Sequence, residues 1–309
     1  MGRCSGEDVI SGELSMGAAT AVVVWSSFAS MAAQGLALSR PVGLGVDLGT
    51  SGVRVCFVER VSAEEVAIVG EEAVRWSDAE GGKAEVWCGA LRETLGRCDP
   101  GVVSRVARVA VSGTSASALV VDGATGAVSR APRMYDYAVG GDSGARAVAA
   151  IAGHAPAGHT CRARTSSLAK LVAWQCERPL GETEVVAHQA DYVAAALAAG
   201  LDGGGRLPPG TPLYSDWHNA LKLGFDVEAL EWPEWITSGT LPSVGAPPSA
   251  LAGLAVLRPG FGPAAEEEGG GGRVVTKSGA TYWGLPAGAE VVGGTTDSIA
   301  ACLARAGNG

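Results

Sequence analysis

The chain has 309 residues, of which 47% are hydrophobic and 18% charged, and its formal net charge is −9. This is ample material for a buried core and excludes a disordered chain. The acidic balance also excludes a general nucleic-acid binder, which needs a basic face.

Residues 1–40 read as a leader outside the fold. The stretch 18–38 carries no charge, yet its Ser and Gln make it too polar for a membrane span. It has the character of a cleavable targeting segment, although Glu7, Asp8 and Glu13 are unusual in a transit peptide. A gene start placed too far upstream is the competing reading. The seven cysteines are scattered without a Cys-x-x-Cys pair, which favours reduced thiols. His154, His159 and Cys161 lie close together but have no fourth ligand nearby, so they predict no metal site.

From Pro41 onward the punctuation becomes regular. Residues 42–47 predict a short buried strand, Gly49-Thr50-Ser51-Gly52 a tight turn, and residues 53–58 a second, antiparallel strand. A third strand is expected over 66–74, a helix over 85–97, and strands over 107–111 and 118–121. Ser166 is placed to cap a helix whose Leu168, Leu171, Val172 and Gln175 share one face. Lys170 on that helix reads as a solvated lysine. A strand over 185–187 leads into a helix over 191–199, and Asp191 and Asp216 suit either a place facing a cleft or, at least as well, a helix cap or a turn. Beyond Ser238, a Pro/Gly-rich stretch with the run Glu266-Glu267-Glu268 reads as an exposed loop or insertion. A strand over 290–292, the turn Gly293-Gly294-Thr295-Thr296-Asp297 and a helix from about Ser298 end the chain. Trp174, Trp217, Trp232 and Trp235 fall at spacings that suit packing.

The first hairpin carries the sharpest chemistry. Its glycine turn presents backbone N–H groups and two hydroxyls, a concave set suited to phosphate oxygens. An aspartate within that cradle would repel phosphate unless a cation sat between them, so Asp47 implies Mg²⁺. Gly43, Gly45 and Gly49 loosely match a dinucleotide fingerprint, but that fold needs a crossover helix between its first two strands and none fits here. No Gly-x-x-x-x-Gly-Lys-Ser/Thr sequence is present, which rules out a P-loop.

Asp47-Leu48-Gly49-Thr50-Ser51-Gly52-Val53-Arg54 resembles the first phosphate-binding hairpin of the actin, sugar kinase and Hsp70 superfamily, in the form used by FGGY carbohydrate kinases. Further motifs follow in that family's order: Val111-Ser112-Gly113-Thr114-Ser115, Thr165-Ser166-Ser167-Leu168-Ala169-Lys170-Leu171, His188-Gln189-Ala190-Asp191-Tyr192, Ser215-Asp216-Trp217-His218-Asn219 and Gly293-Gly294-Thr295-Thr296-Asp297-Ser298. They are most similar to the plant and cyanobacterial ribulokinase-like branch. The resemblance implies a ribonuclease-H-like α/β fold, a mixed sheet flanked by helices, with residues 41–292 as the N-terminal domain. Residues 293–309 would begin a truncated C-terminal nucleotide-binding domain.

The resemblance further implies ATP-dependent phosphorylation of a sugar hydroxyl, with a pentulose such as D-ribulose as substrate. Asp297 would be the general base, a role that also suits a carboxylate at a strand-to-helix junction. Asp47, Ser115 and Asp297 would meet the sugar. Gly49, Thr50, Ser51, Thr295 and Thr296 would hold the phosphates of ATP, and Asp47 would hold Mg²⁺. If Asp297 had no such role, it or Thr296 would simply cap the last helix. Met134-Tyr135-Asp136-Tyr137 stands where many members carry Trp-x-Asp-x-Arg, which points away from glycerol kinase or xylulokinase assignments. A short sugar-binding module without catalysis and a kinase for xylulose, glycerol or another polyol are the alternatives. The branch and the leader together suggest a plastid or cytoplasmic protein, with no membrane partner beyond the leader.

Overall fold

The computed structural model describes residues 40–62, 66–77, 80–260, 262 and 273–306, so most of the leader and the run at 266–268 lie outside the described residues. Strand β1 (Val42–Leu48) is buried along its whole length, as a central strand covered on both faces must be. Gly49 N–H donates to Gly52 O at 3.0 Å to close the tip. β2 (Gly52–Arg60) returns antiparallel, with Asp47 opposite Arg54. β3 (Val66–Arg75) pairs antiparallel with β2 and forms the sheet edge. The direct hairpin leaves no room for a dinucleotide-type crossover, as the sequence requires.

Helix α1 (Ala84–Arg97) buries Trp87, Leu91 and Leu95, one turn apart on a single face. It carries the chain back to β4 (Val106–Gly113), which runs parallel to β1 on the side away from β2. β5 (Ala118–Asp122) and β6 (Val128–Arg133) open a second sheet. Two helices then follow, α2 (Gly141–His154) and α3 (Ser167–Glu177). Ser166 caps α3 as expected, its Oγ accepting from Ala169 N–H at 3.0 Å. β7 (Glu184–His188) completes the antiparallel order β6-β5-β7. In α4 (Gln189–Ala199) every residue from Gln189 to Ala198 is buried, which accounts for its being apolar nearly all round.

β8 (Leu213–Asp216) leads into the one-turn helix α5 (Trp217–Ala220) and pairs in parallel with β9 (Leu254–Leu257). Helix α6 (Lys277–Trp283) follows. The region beyond Ser238 is therefore more than an exposed loop. β9 lies within it, and Trp283 is buried with its Nε1–H donating to Ala196 O of α4 at 2.7 Å. Pro and Gly keep these elements too short for their periodicity to show in the sequence. Helix α2 was hidden for a related reason: only Gly144, Ala147 and Ile151 are buried, so its stripe lacks large apolar residues.

The last elements rejoin the first sheet. β10 (Glu290–Val291) and β11 (Thr295–Thr296) both pair parallel with β4, giving the order β10-β4-β1-β2-β3 with β11 also on β4. Helix α7 (Asp297–Ala306) leaves from the end of β11. No helix among the described residues is long and apolar enough to cross a membrane.

Candidate active site

Three parallel strands end at the same edge of the main sheet. In register, β4 sets Ser112 beside both Asp47 of β1 and Thr295 of β11, and Gly113 beside Leu48 and Thr296. The next residues, Gly49, Thr114 and Asp297, therefore emerge together. The carboxyl ends of parallel strands are the usual place for a ligand in an open α/β sheet. A 280 Å³ cleft opens here, lined by Gly49 to Arg54, Ala73 to Arg75 and Asp297.

Asp47 lies beneath this cleft, fully buried. Ser112 Oγ donates to its Oδ1 at 2.9 Å, and Arg54 Nη1 stands 3.5 Å from its Oδ2. Oδ2 itself has no hydrogen-bond partner. Burial raises the Asp47 pKa; Ser112 and Arg54 oppose that shift, while the negative charge of Asp297 adds to it. The two carboxylates thus share one electrostatic neighbourhood.

Asp297 is partly exposed at the first turn of α7, where its Oδ1 accepts from Ser298 N–H at 2.7 Å. Thr296 Oγ1 accepts from Ile299 N–H at 3.4 Å. Both residues thus make local contacts of the capping kind, and Asp297 additionally faces the cleft. Thr295 Oγ1 is 2.8 Å from His218 Nδ1, so its hydroxyl already has a protein partner. Gly294 allows β11 to approach β4: a Cβ there would lie 1.8 Å from Val111 O. At the hairpin tip the side chains of Thr50 and Ser51 are exposed, leaving the turn open to a ligand.

Ser115 does not line this cleft but rises from the same edge. It occupies the second position of the turn 114–117, closed by Ser117 N–H donating to Thr114 O at 3.1 Å. Ala116, in third position, has φ 66°. Gln189 Oε1 accepts from both Thr114 N–H and Thr114 Oγ1, at 3.1 and 3.0 Å. Asp191 and Asp216 are helix-capping residues. Asp191 closes a capping box with His188, and Asp216 accepts from His218 and Asn219 N–H. Asn219 Nδ2 bridges Asp216 to Thr295 O, at 2.7 and 3.4 Å, tying the cap to β11.

Sequence reasoning missed two features. Lys170 is not solvated. It is fully buried, and its Nζ donates to Ala116 O and Met134 O, each at 2.7 Å. The available signal was composition: Lys170 is the one charged residue in the run from Ser167 to Gln175, all of which the structure buries. His188 joins Asp191, Ser215 and Ser167 in a network wholly inside the protein, with ring nitrogen distances of 2.8, 3.2 and 2.9 Å. The His159 ring accepts from Cys161 N–H at 3.2 Å, a structural use of that pair.

For a divalent cation the site offers two carboxylates: Asp47 Oδ2, a buried oxygen without a hydrogen-bond donor although Arg54 Nη1 stands 3.5 Å from it, and Asp297 nearby. Mg²⁺ is commonly held by one or two carboxylates, with water and phosphate completing its shell.

No family model matches the sequence. The fold, a mixed sheet flanked by helices, is that of solved carbohydrate kinases. It is similar to xylulose kinase from Rhodospirillum rubrum, with 22% identity and a TM-score of 0.59 over 84% of this chain and 50% of that one. Gluconate kinase from Lactobacillus acidophilus matches with 12% identity and a TM-score of 0.58, over 84% of this chain and 49% of that one. Plasmodium falciparum glycerol kinase with ADP matches with 13% identity and a TM-score of 0.54, over 82% and 48%. The chain thus spans about half the length of the solved chains it matches.

Proposed function

We propose that the chain carries the sugar-binding and proton-abstracting part of an ATP-dependent carbohydrate kinase, with a pentulose such as D-ribulose as substrate. The observation that carries this reading is the placement of Asp297 in one cleft with the hairpin Gly49 to Arg54, above the buried Asp47. Two solved xylulose kinases, at 22% and 20% identity, favour a ketopentose and keep D-xylulose beside D-ribulose as a substrate to test.

Asp297 accepts the proton of the attacking sugar hydroxyl. That oxygen bonds to the terminal phosphorus of ATP, and the bond to the ADP oxygen breaks. Phosphoryl transfer needs little covalent help, so the carboxylate acts mainly by orienting the hydroxyl. Asp47 is placed to hold Mg²⁺, which when bound neutralises charge on the transferring group. Gly49, Thr50 and Ser51 offer backbone N–H groups and hydroxyls to phosphate oxygens. Thr295 and Thr296, at the end of β11, are the further residues proposed to meet the phosphates of ATP, and Ser115 offers a hydroxyl to the sugar.

The test is ADP release by the protein with D-ribulose, D-xylulose and glycerol. Asp297→Asn is expected to lower turnover by about 10³-fold while sugar binding persists. Near-normal turnover in that variant would remove Asp297 from the chemistry.

A further inference from the structure

Strands β5 and β6 part company beyond the pair Ala118 and Arg133. One chain leads back to the turn bearing Ser115, and the other runs on into residues 134–137. Two carbonyls beyond the end of the ladder, Ala116 O and Met134 O, both accept from Lys170 Nζ at 2.7 Å. The ammonium therefore stands where the next rung of the sheet would be.

Helix α3 holds the second of these segments over two turns. Lys170, Trp174 and Glu177 follow one another at i, i+4 and i+7, along one face. The Glu177 carboxylate accepts from Arg133 Nη2 at 2.5 and 2.6 Å. The Arg133 guanidinium carbon lies 4.7 Å from the centre of the Trp174 ring and 4.9 Å from that of Tyr137. Arg133 Nη1 also donates to Lys170 O at 3.4 Å. A helix face that would ordinarily pack apolar side chains grips a loop instead. Burial lowers the Lys170 pKa to about 7; of the charges facing its Nζ, Asp136 opposes that shift while Lys222 and Arg133 add to it, and the amine keeps protons for both carbonyls in either form.

We propose that Lys170 is a positioning residue for the sugar: it joins the turn presenting Ser115 to residues 134–137, so that the two move as one wall. The proposal rests on reading the cleft as a sugar site. A fully buried ammonium is costly unless its protons are used. Here two of them order backbone that no strand pairing reaches. Ala116 sits at φ 66°, in the left-handed region that an alanine adopts only when its surroundings hold it there. The bond to its carbonyl is one such restraint.

The test compares wild type with Lys170→Met, which fills the space without donors, and Lys170→Arg, which restores them. D-ribulose and D-xylulose binding is measured by calorimetry, and backbone hydrogen exchange is followed in peptides covering 114–117 and 133–137. Lys170→Met is expected to weaken sugar binding by about tenfold or more and to speed exchange in those two segments, with β1 and β2 unchanged. Lys170→Arg is expected to recover most of the affinity. Should Lys170→Met not fold, Lys170→Gln is measured in its place, with the same direction expected. Sugar affinity within about twofold of wild type in a folded variant lacking the ammonium would overturn the positioning role. Wild type binding neither sugar would instead overturn the functional reading. Exchange alone then decides the join: faster exchange at both segments supports it, and unchanged exchange refutes it.

Discussion

Ser112 Oγ donates to Asp47 Oδ1 at 2.9 Å, and the same residue of β4 sits in register with Thr295 on its other side. One serine on the middle strand thus aligns the first hairpin of the chain with its last strand. Asp297 follows Thr295 by two residues, so the pairing of β11 with β4 brings the two carboxylates together.

Asp47 is a buried carboxylate held at the expense of stability. Burial leads the causes that raise its pKa. Between the ordinary carboxylate value and the raised one, the folded state keeps a proton that the unfolded state releases. Stability therefore falls as pH rises through that window, and the ionised group is a net cost at neutral pH. Asp47→Asn is expected to raise stability at pH 7 by about 1 kcal/mol and to abolish phosphate transfer. Denaturant melts with parallel ADP assays check both halves, and an unchanged or lower midpoint would contradict the first.

Gly294 permits the close approach of β11 to β4, where a methyl group would lie 1.8 Å from Val111 O. Gly294→Ala is expected to push Thr295 and Asp297 off the edge of β4. Activity should fall by about 10²-fold even where the sheet remains folded. Circular dichroism together with turnover separates displacement from unfolding.

Glu184 and Arg130 form a buried ion pair with two contacts of 3.1 Å, and Gly181 N–H also donates to the carboxylate at 2.8 Å. Burial opposes ionisation of Glu184, but the bonds from Arg130, Ser129 and Gly181 outweigh it and hold its pKa down to about 2. The stabilisation is present above the ordinary glutamate value and is lost as pH falls towards 2. Glu184→Gln is expected to cost about 3 kcal/mol at pH 7. The gap from wild type should narrow steadily below pH 4.5, the ordinary value for this group. A gap independent of pH would contradict the pairing.

Ser167, His188 and Asp191 have the connectivity of a nucleophilic triad, yet all three are buried. Without access for a substrate, the network is structural. His188→Ala leaves Ser167, Ser215 and Asp191 short of a partner and is expected to cost about 3 kcal/mol. Native Ser167 should resist an organophosphate that labels accessible activated serines. Stoichiometric labelling under native conditions would show that the site opens.

The sequence by itself determined what is local. The Asp47 hairpin was legible because period-two alternation and a glycine turn are written within a dozen residues. The Ser166 cap and the shared face of Leu168, Leu171 and Val172 that follows it were legible for the same reason. Tertiary structure alone decided which distant residues meet. Nothing within the Gly293-to-Ser298 motif states that it will pair with β4 beside Asp47, because that contact is long-range and depends on the whole sheet. Lys170 shows the same limit in reverse. A lysine one turn into a helix reads as solvated, since charged side chains usually face water. Its burial follows from two carbonyls, Ala116 O and Met134 O, just beyond the paired ends of β5 and β6 and far away in the chain, and that partnership existed only once those strands had paired.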